Sequence, residues 1–299
     1  EALYRRIKEL RRQYRFSYGD EIIYEICLEL LGATADQRNR FKINQITGEA
    51  VDEFIRKMRI TGVISLRGNG RFVDFNSFEM TKINYILSHY DDYTNYTVKK
   101  DFFEYIGAID NNVVSLTQDV DETAVTDVRI ATLTRWAEEY SKNDIINELN
   151  LLSSNGESRN AVLRIIDKPT RLEFLTSIAL KQHFEGLNVQ PNYHVDDEGL
   201  PTFTASGGVA DIECFEAGCN SLVEVTLMCA RNQATNEMPA ITRHLQEAIE
   251  QNPGVTQFSM LVAPSIHADT KYMAGYSKFK YNVDILTFTI TEFIEQISV

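Results

Sequence analysis

The chain has few cysteines. Its four (Cys27, Cys214, Cys219 and Cys229) are irregularly spaced, with no CxxC pair. A disulfide framework and the common zinc sites are therefore not expected, and a reducing cytoplasm is the expected setting. No run of about 18 apolar residues occurs, so no membrane span is expected. Internal repeats and low-complexity segments are also lacking, which leaves out repeat architectures. Net positive charge is missing as well: the formal balance is -13, which argues against indiscriminate binding of polyanions. The chain opens at Glu1 with neither Met nor a signal-peptide pattern, and reads as a fragment or a processed form.

What is present is a chain of 299 residues, 43% hydrophobic and 24% charged, ordinary for a soluble globular protein of two domains or slightly more. Its charge is unevenly spread. Residues 1–75 carry an excess of Lys and Arg, and the remainder is strongly acidic. EALYRRIKELRRQYRF, residues 1–16, has the pattern of a basic amphipathic helix. Either it is a solvated face with Leu3, Ile7 and Leu10 packed inward, or its cations meet phosphate. A helix over 19–32 follows, with Asp20 as N-cap and Gly32 as stop, and then a second helix ending at Gly62. VISLRGNGRFVDF alternates about Gly68-Asn69-Gly70 as a hairpin does. Helix, helix and hairpin in that order suggest a winged-helix-like module over 1–76. Arg67 and Arg71 beside the tip would then lie along DNA. A small helical domain with a solvated tip fits the same pattern. Residues 77–158 read as a helical linker, with Trp136 in its core and SSNGES closing it.

From residue 159 the pattern turns to mixed α/β, with an expected central sheet. ADIECFEAGCNSLVEVTL reads as two short strands, with an acid in each: Asp211 and Glu224. With Ala217-Gly218 as a two-residue turn, position 216 pairs with 219 and 211 with 224. The acids are then cross-strand neighbours, which repel unless a cation lies between them. Two hard oxygen donors at that spacing suit Mg²⁺. A longer loop with one acid exposed is the alternative. Thr170 to Glu173 matches a T-x-x-E capping box, or else delivers a third carboxylate from a helix packed on the sheet. NEMPAITRHLQEAI places Glu237, Ile241, His244 and Ala248 on one helix face, so that two polar groups look inward with two apolar ones.

PTRLEF, GGVADIE, SLVEVTL and RNQATNEMPAITRHL resemble the cleavage domain of the AlwI-type restriction endonucleases. That group includes type IIS enzymes and strand-nicking relatives of the BstNBI kind, within the PD-(D/E)xK nuclease superfamily. The resemblance covers roughly 160–299. It implies an α/β nuclease domain over 159–299, with Asp211 and Glu224 as metal ligands beside the Val225 carbonyl and Glu173 as an accessory carboxylate. Glu237 and His244 are placed at the same centre, and Arg243 is a candidate phosphate contact. Mg²⁺ is the implied cofactor, with Mn²⁺ as substitute. The implied reaction is hydrolysis of one strand of duplex DNA near a short asymmetric site, with a small second catalytic subunit or a transient dimer for the other strand. The superfamily lysine would fall at Thr226, so His244 or Glu237, with Gln233 as a lesser candidate, must orient or activate the water. A non-catalytic DNA-binding or assembly protein on a nuclease-like scaffold, or a junction or repair nuclease of the same fold, stands as the competing expectation.

Overall fold

In the computed structural model, residues 50–68, 70–90, 97–107 and 122–298 are described, with the single positions 5, 8, 9, 12, 110, 112, 113 and 116. Apart from four of those single positions, the helices expected over 1–16 and 19–32 lie outside the described residues. The winged-helix order is therefore seen only from its last helix onward. The chain divides into two compact units, Glu1–Met58 and Arg59–Val299. Both boundaries read from the sequence, after residues 76 and 158, fall inside the second unit.

Helix α1 (Ala50–Ile60) starts with Asp52 and Glu53 in its first turn, where carboxylates favour the helix dipole. It gives way to Gly62, at φ +76°. Strands β1 (Ile64–Arg67) and β2 (Phe72–Phe75) then pair antiparallel, Arg67 opposite Phe72. Among the described residues four helices follow: α2 (Met80–His89), α3 (Lys99–Gly107), α4 (Glu122–Glu139) and α5 (Lys142–Ser153). A reciprocal capping box between Ser141 and Asp144 starts α5. Helix α6 (Lys168–His183) packs against both α4 and α5. Trp136 is buried there, its ring stacked on Tyr140 at 4.4 Å and edge-on to Phe174 at 5.1 Å. This packing makes the expected linker part of the second unit.

After α6 come β3 (Asn188–Pro191), β4 (His194–Val195), β5 (Pro201–Phe203), β6 (Ile212–Glu216) and β7 (Cys219–Val225). Then follow α7 (Arg231–Asn236), α8 (Met238–Gln251), β8 (Thr256–Ala263), α9 (Ala268–Tyr281), β9 (Ile285–Thr289) and α10 (Ile290–Ile297). The central sheet has the order β3-β6-β7-β8-β9. Its first three strands are antiparallel and its last three parallel, so it is mixed, as expected. Strands β4 and β5 form a separate ribbon.

The core on the α8 side gathers Leu222, Leu261 and Ile285 from the sheet with Met238, Ile241 and Leu245 from α8. Each such side chain contributes about 1.5–3 kcal/mol by leaving water. DILTFTITEFIEQI, the last apolar segment, is both strand and helix. Thr289 and Glu292 form a capping box that ends β9 and starts α10. Helix α9 has no counterpart in the sequence reading. Its buried face is made of Thr270, Ala274 and Ser277, too polar to show as an apolar stripe.

Candidate active site

The site is built at the end of the β6–β7 hairpin. Gly218, at φ +83°, completes the two-residue turn, a backbone region glycine enters at little cost. Glu216 then faces Cys219, and the ladder runs to Ile212 opposite Val223. Extended by one step, that register would set Asp211 opposite Glu224. The ladder itself stops at Ile212 and Val223, and beyond it the Asp211 side chain takes over: Val225 N–H donates to Asp211 Oδ2 at 2.8 Å. Asn192 fixes the other side, its N–H on the Asp211 carbonyl at 2.9 Å and its Nδ2 on the Ala210 carbonyl at 2.8 Å.

Glu173 reaches the same place from α6. The helix starts at Lys168, two residues before Thr170, with Pro169 in its first turn. Thr170 is therefore buried within the helix and not at its cap. Glu173 is 3% exposed, and its Oε2 accepts from Ala205 N–H at 3.0 Å. Glu237 stands at the junction where α7 ends and α8 begins. Thr226 Oγ1 donates to its Oε1 at 3.1 Å. Thr226, where the resemblance implies a lysine, thus positions Glu237. On α8, His244 Nδ1 lies 2.9 Å from Glu224 Oε1, and both side chains are buried. His244 Nε2 is also buried, with no hydrogen-bond partner among the described residues.

The electrostatics are one-sided. Burial pushes the Asp211 carboxyl well above its usual range, and Glu224 and Glu237 push it further, against the Val225 hydrogen bond. Burial raises Glu173 to about 9, with Asp211 and Glu224 adding to the shift and the Ala205 N–H opposing it. Burial and Glu224 also raise Glu237, against the Thr226 hydroxyl. What opposes these shifts is hydrogen bonding, not the charge of a lysine or arginine. Oxygen donors alone, crowded enough to hold protons, are the chemistry a hard divalent cation relieves. Among the described residues no three His, Cys, Asp or Glu side chains form a ready metal cage. Each of the four carboxylates has one oxygen held by a different protein donor: Ala205, Val225, His244 or Thr226. The residues fit such an ion in chemistry, and closing on it requires these carboxylates to turn.

Of the residues singled out in the sequence, Glu173, Asp211, Glu224, Val225, Glu237 and His244 come together here. Gln233 does not serve as a water activator. Its amide donates to the Met228 and Ser265 carbonyls and accepts from His267 N–H and Thr270 Oγ1, so it is fully occupied. Among the described residues, no ion pair joins Arg67, Arg71 or Arg243 to these carboxylates. Arg67 is held by both oxygens of Asp197 at 2.7 and 2.8 Å, so its charge is paired within the protein. Arg71 is exposed. Arg243 is exposed and lies 3.9 Å from Glu247 on its own helix. Sequence reasoning missed the donors on the carboxylates. Thr226 stood out only as a missing lysine, and Ala205 acts through its backbone, which leaves no mark in residue type.

The five-stranded mixed sheet thus carries Asp211 and Glu224 at its central hairpin, with a third carboxylate, Glu173, delivered from α6. The AlwI restriction endonuclease family matches residues 104–295. The chain belongs to that family, and with it to the endonucleases that act on DNA. Among solved structures, the small subunit (R.BspD6I2) of the heterodimeric restriction endonuclease R.BspD6I is similar at 23% identity and a TM-score of 0.44, over 52% of this chain and 76% of that one. No curated protein matches.

Proposed function

We propose that this protein is a Mg²⁺-dependent, site-specific DNA endonuclease that hydrolyses one strand of duplex DNA per active site, with a second subunit or a transient dimer needed for the other strand. The observation that carries the reading is the β6–β7 register. It ends with Ile212 against Val223, which leaves Asp211 and Glu224 at the mouth of the hairpin, close enough for Glu224 to raise the Asp211 pKa and with no lysine or arginine among the groups that shift it.

In this reading Asp211 and Glu224 hold the ion, with the Val225 carbonyl completing the edge of the strand and Glu173 as accessory carboxylate. Bound there, such an ion supplies Lewis acidity toward the attacked phosphate and eases ionisation of the attacking water. The chain's own residues do the rest. Val225 N–H holds Asp211 in one rotamer. A carboxylate oxygen can only accept, so the hydrogen bond from Nδ1 to Glu224 leaves the lone pair of a neutral His244 on Nε2. His244 is therefore the group that takes a proton from water, and Glu237, held by Thr226, orients that water. Arg71 and Arg243, both exposed, are candidate phosphate contacts.

The test is nicking of supercoiled plasmid with Mg²⁺ or Mn²⁺, paired with calorimetry of Mn²⁺ binding. Wild type should nick and bind, and Asp211→Asn should do neither while keeping its circular dichroism. Mn²⁺ binding that survives in Asp211→Asn, or cutting that survives chelation, sinks the proposal.

A further inference from the structure

We infer that the β1–β2 hairpin controls the cleavage centre through the β4–β5 loop, with Asp197 as the positioning residue that couples the two; this rests on the nuclease reading above. The loop, Asp196 to Leu200, is gripped from two sides. On the hairpin side, Asp197 takes the Arg67 fork in both oxygens, a Ser65 hydroxyl at 2.6 Å and the Ser77 N–H at 2.9 Å. Next to it, Arg59 donates to Asp196 Oδ2 at 2.9 Å and to the Pro201 carbonyl at 2.6 Å, both side chains being wholly buried. Asp196 Oδ1 in turn accepts from the N–H groups of Glu198 and Leu200, which sets the shape of the loop. On the α4 side, Thr132 donates to the Glu198 carbonyl at 2.8 Å. Gly199, at φ +73°, passes so close that a Cβ there would lie 2.5 Å from the Thr132 hydroxyl and the Val128 carbonyl.

A loop held so firmly at both walls moves only with them. It leads directly into β5 (Pro201–Phe203), which packs on α6, and two residues beyond β5 is Ala205. The N–H of Ala205 is the hydrogen bond on Glu173. Beside it, Ser206 is tied to His194 Nε2 at 2.9 Å, which binds this segment back to β4. The route from hairpin to active-site carboxylate is thus one short piece of chain, clamped at its start by Arg67–Asp197 and ending on Glu173. Rigid, hydrogen-bonded elements of this kind are what carry coupling between sites. A force on the hairpin, such as DNA bound along it, shifts the Ala205 N–H relative to Glu173. The paired state of Arg67 then has a use that does not require it to touch phosphate.

Two readouts test this in the full chain, with Asp197→Asn, Asp197→Glu and Arg67→Lys. The first is hydrogen–deuterium exchange on peptides covering 201–206, which needs no activity. Asp197→Asn should speed exchange of the Ala205 amide about tenfold while β7 and β8 keep wild-type protection. The second is plasmid nicking, where kcat should fall about tenfold with KM unchanged, as expected when a carboxylate is misplaced and substrate binding is not. Asp197→Glu, which keeps the charge, should recover part of both effects, and Arg67→Lys, which loses the fork, should follow Asp197→Asn. Unchanged exchange at 201–206 overturns the coupling. So does faster exchange spread evenly over the sheet, or a rise in KM alone. If the wild type nicks nothing, the nuclease reading fails by itself, and the exchange experiment still decides whether hairpin and Ala205 are joined.

Discussion

His244 Nδ1 sits 2.9 Å from Glu224 Oε1, joining the second turn of α8 to the C-terminal end of β7. The bond fixes the ring's tautomer and leaves Nε2 without a partner among the described residues. His244→Ala should therefore lower the nicking rate by about 10²–10⁴-fold, the usual worth of a general base. Mn²⁺ binding should survive, because Asp211 remains. A rate within a few-fold of wild type, measured at saturating Mg²⁺, would remove His244 from proton transfer and leave Glu237 as the base.

Asp211 is crowded by Glu224 and Glu237 in the folded protein. Asp211→Asn keeps an oxygen for the Val225 N–H and deletes the charge. It should abolish nicking and, in EDTA, raise stability by about 0.5–2 kcal/mol, as substitutions that relieve a functional strain commonly do. Urea denaturation of both proteins with EDTA measures it. A less stable mutant means that the carboxylate is not strained.

Glu173 has its pKa raised by folding from 4.5 to about 9, and Asp211 and Glu237 shift in the same direction. Between the unfolded and folded values the native state holds more protons than the unfolded one. Metal-free stability should accordingly be greatest at the acid end of that window and fall as pH rises through it. Mg²⁺ favours the ionised forms, so it should flatten the slope. Thermal melts from pH 5 to 9, with EDTA and with Mg²⁺, read both effects. A metal-free melting temperature that climbs toward pH 9 contradicts the burial of Glu173.

Ala230, at φ 62° and ψ −157°, lies in a backbone region that essentially only glycine occupies, between β7 and α7. Strain of this kind costs about 1–3 kcal/mol. Ala230→Gly should recover part of it, less the extra entropy of glycine in the unfolded chain, and raise the urea midpoint. A fall in the midpoint would show that the methyl group's packing outweighs the strain.

Some of this protein is decided by local rules. The pairing of 211 with 224 follows from a two-residue turn and a side-chain period of two, and both are local in the sequence. The inward face of α8 follows from helical spacing in the same way. Where the determinants were long-range, the sequence was silent or pointed elsewhere. Thr170 and Glu173 have capping-box spacing, yet Pro169 lets the helix start earlier and Glu173 is taken by Ala205, far along the chain. Arg67 looked free for DNA, because Asp197, its partner, is 130 residues away. The short-range pattern therefore determined which acids stand together and on which elements. Only the tertiary structure decided which donors hold them, which cations are already spent and how the hairpin is tied to the site, because those partners meet through packing and no local period records them.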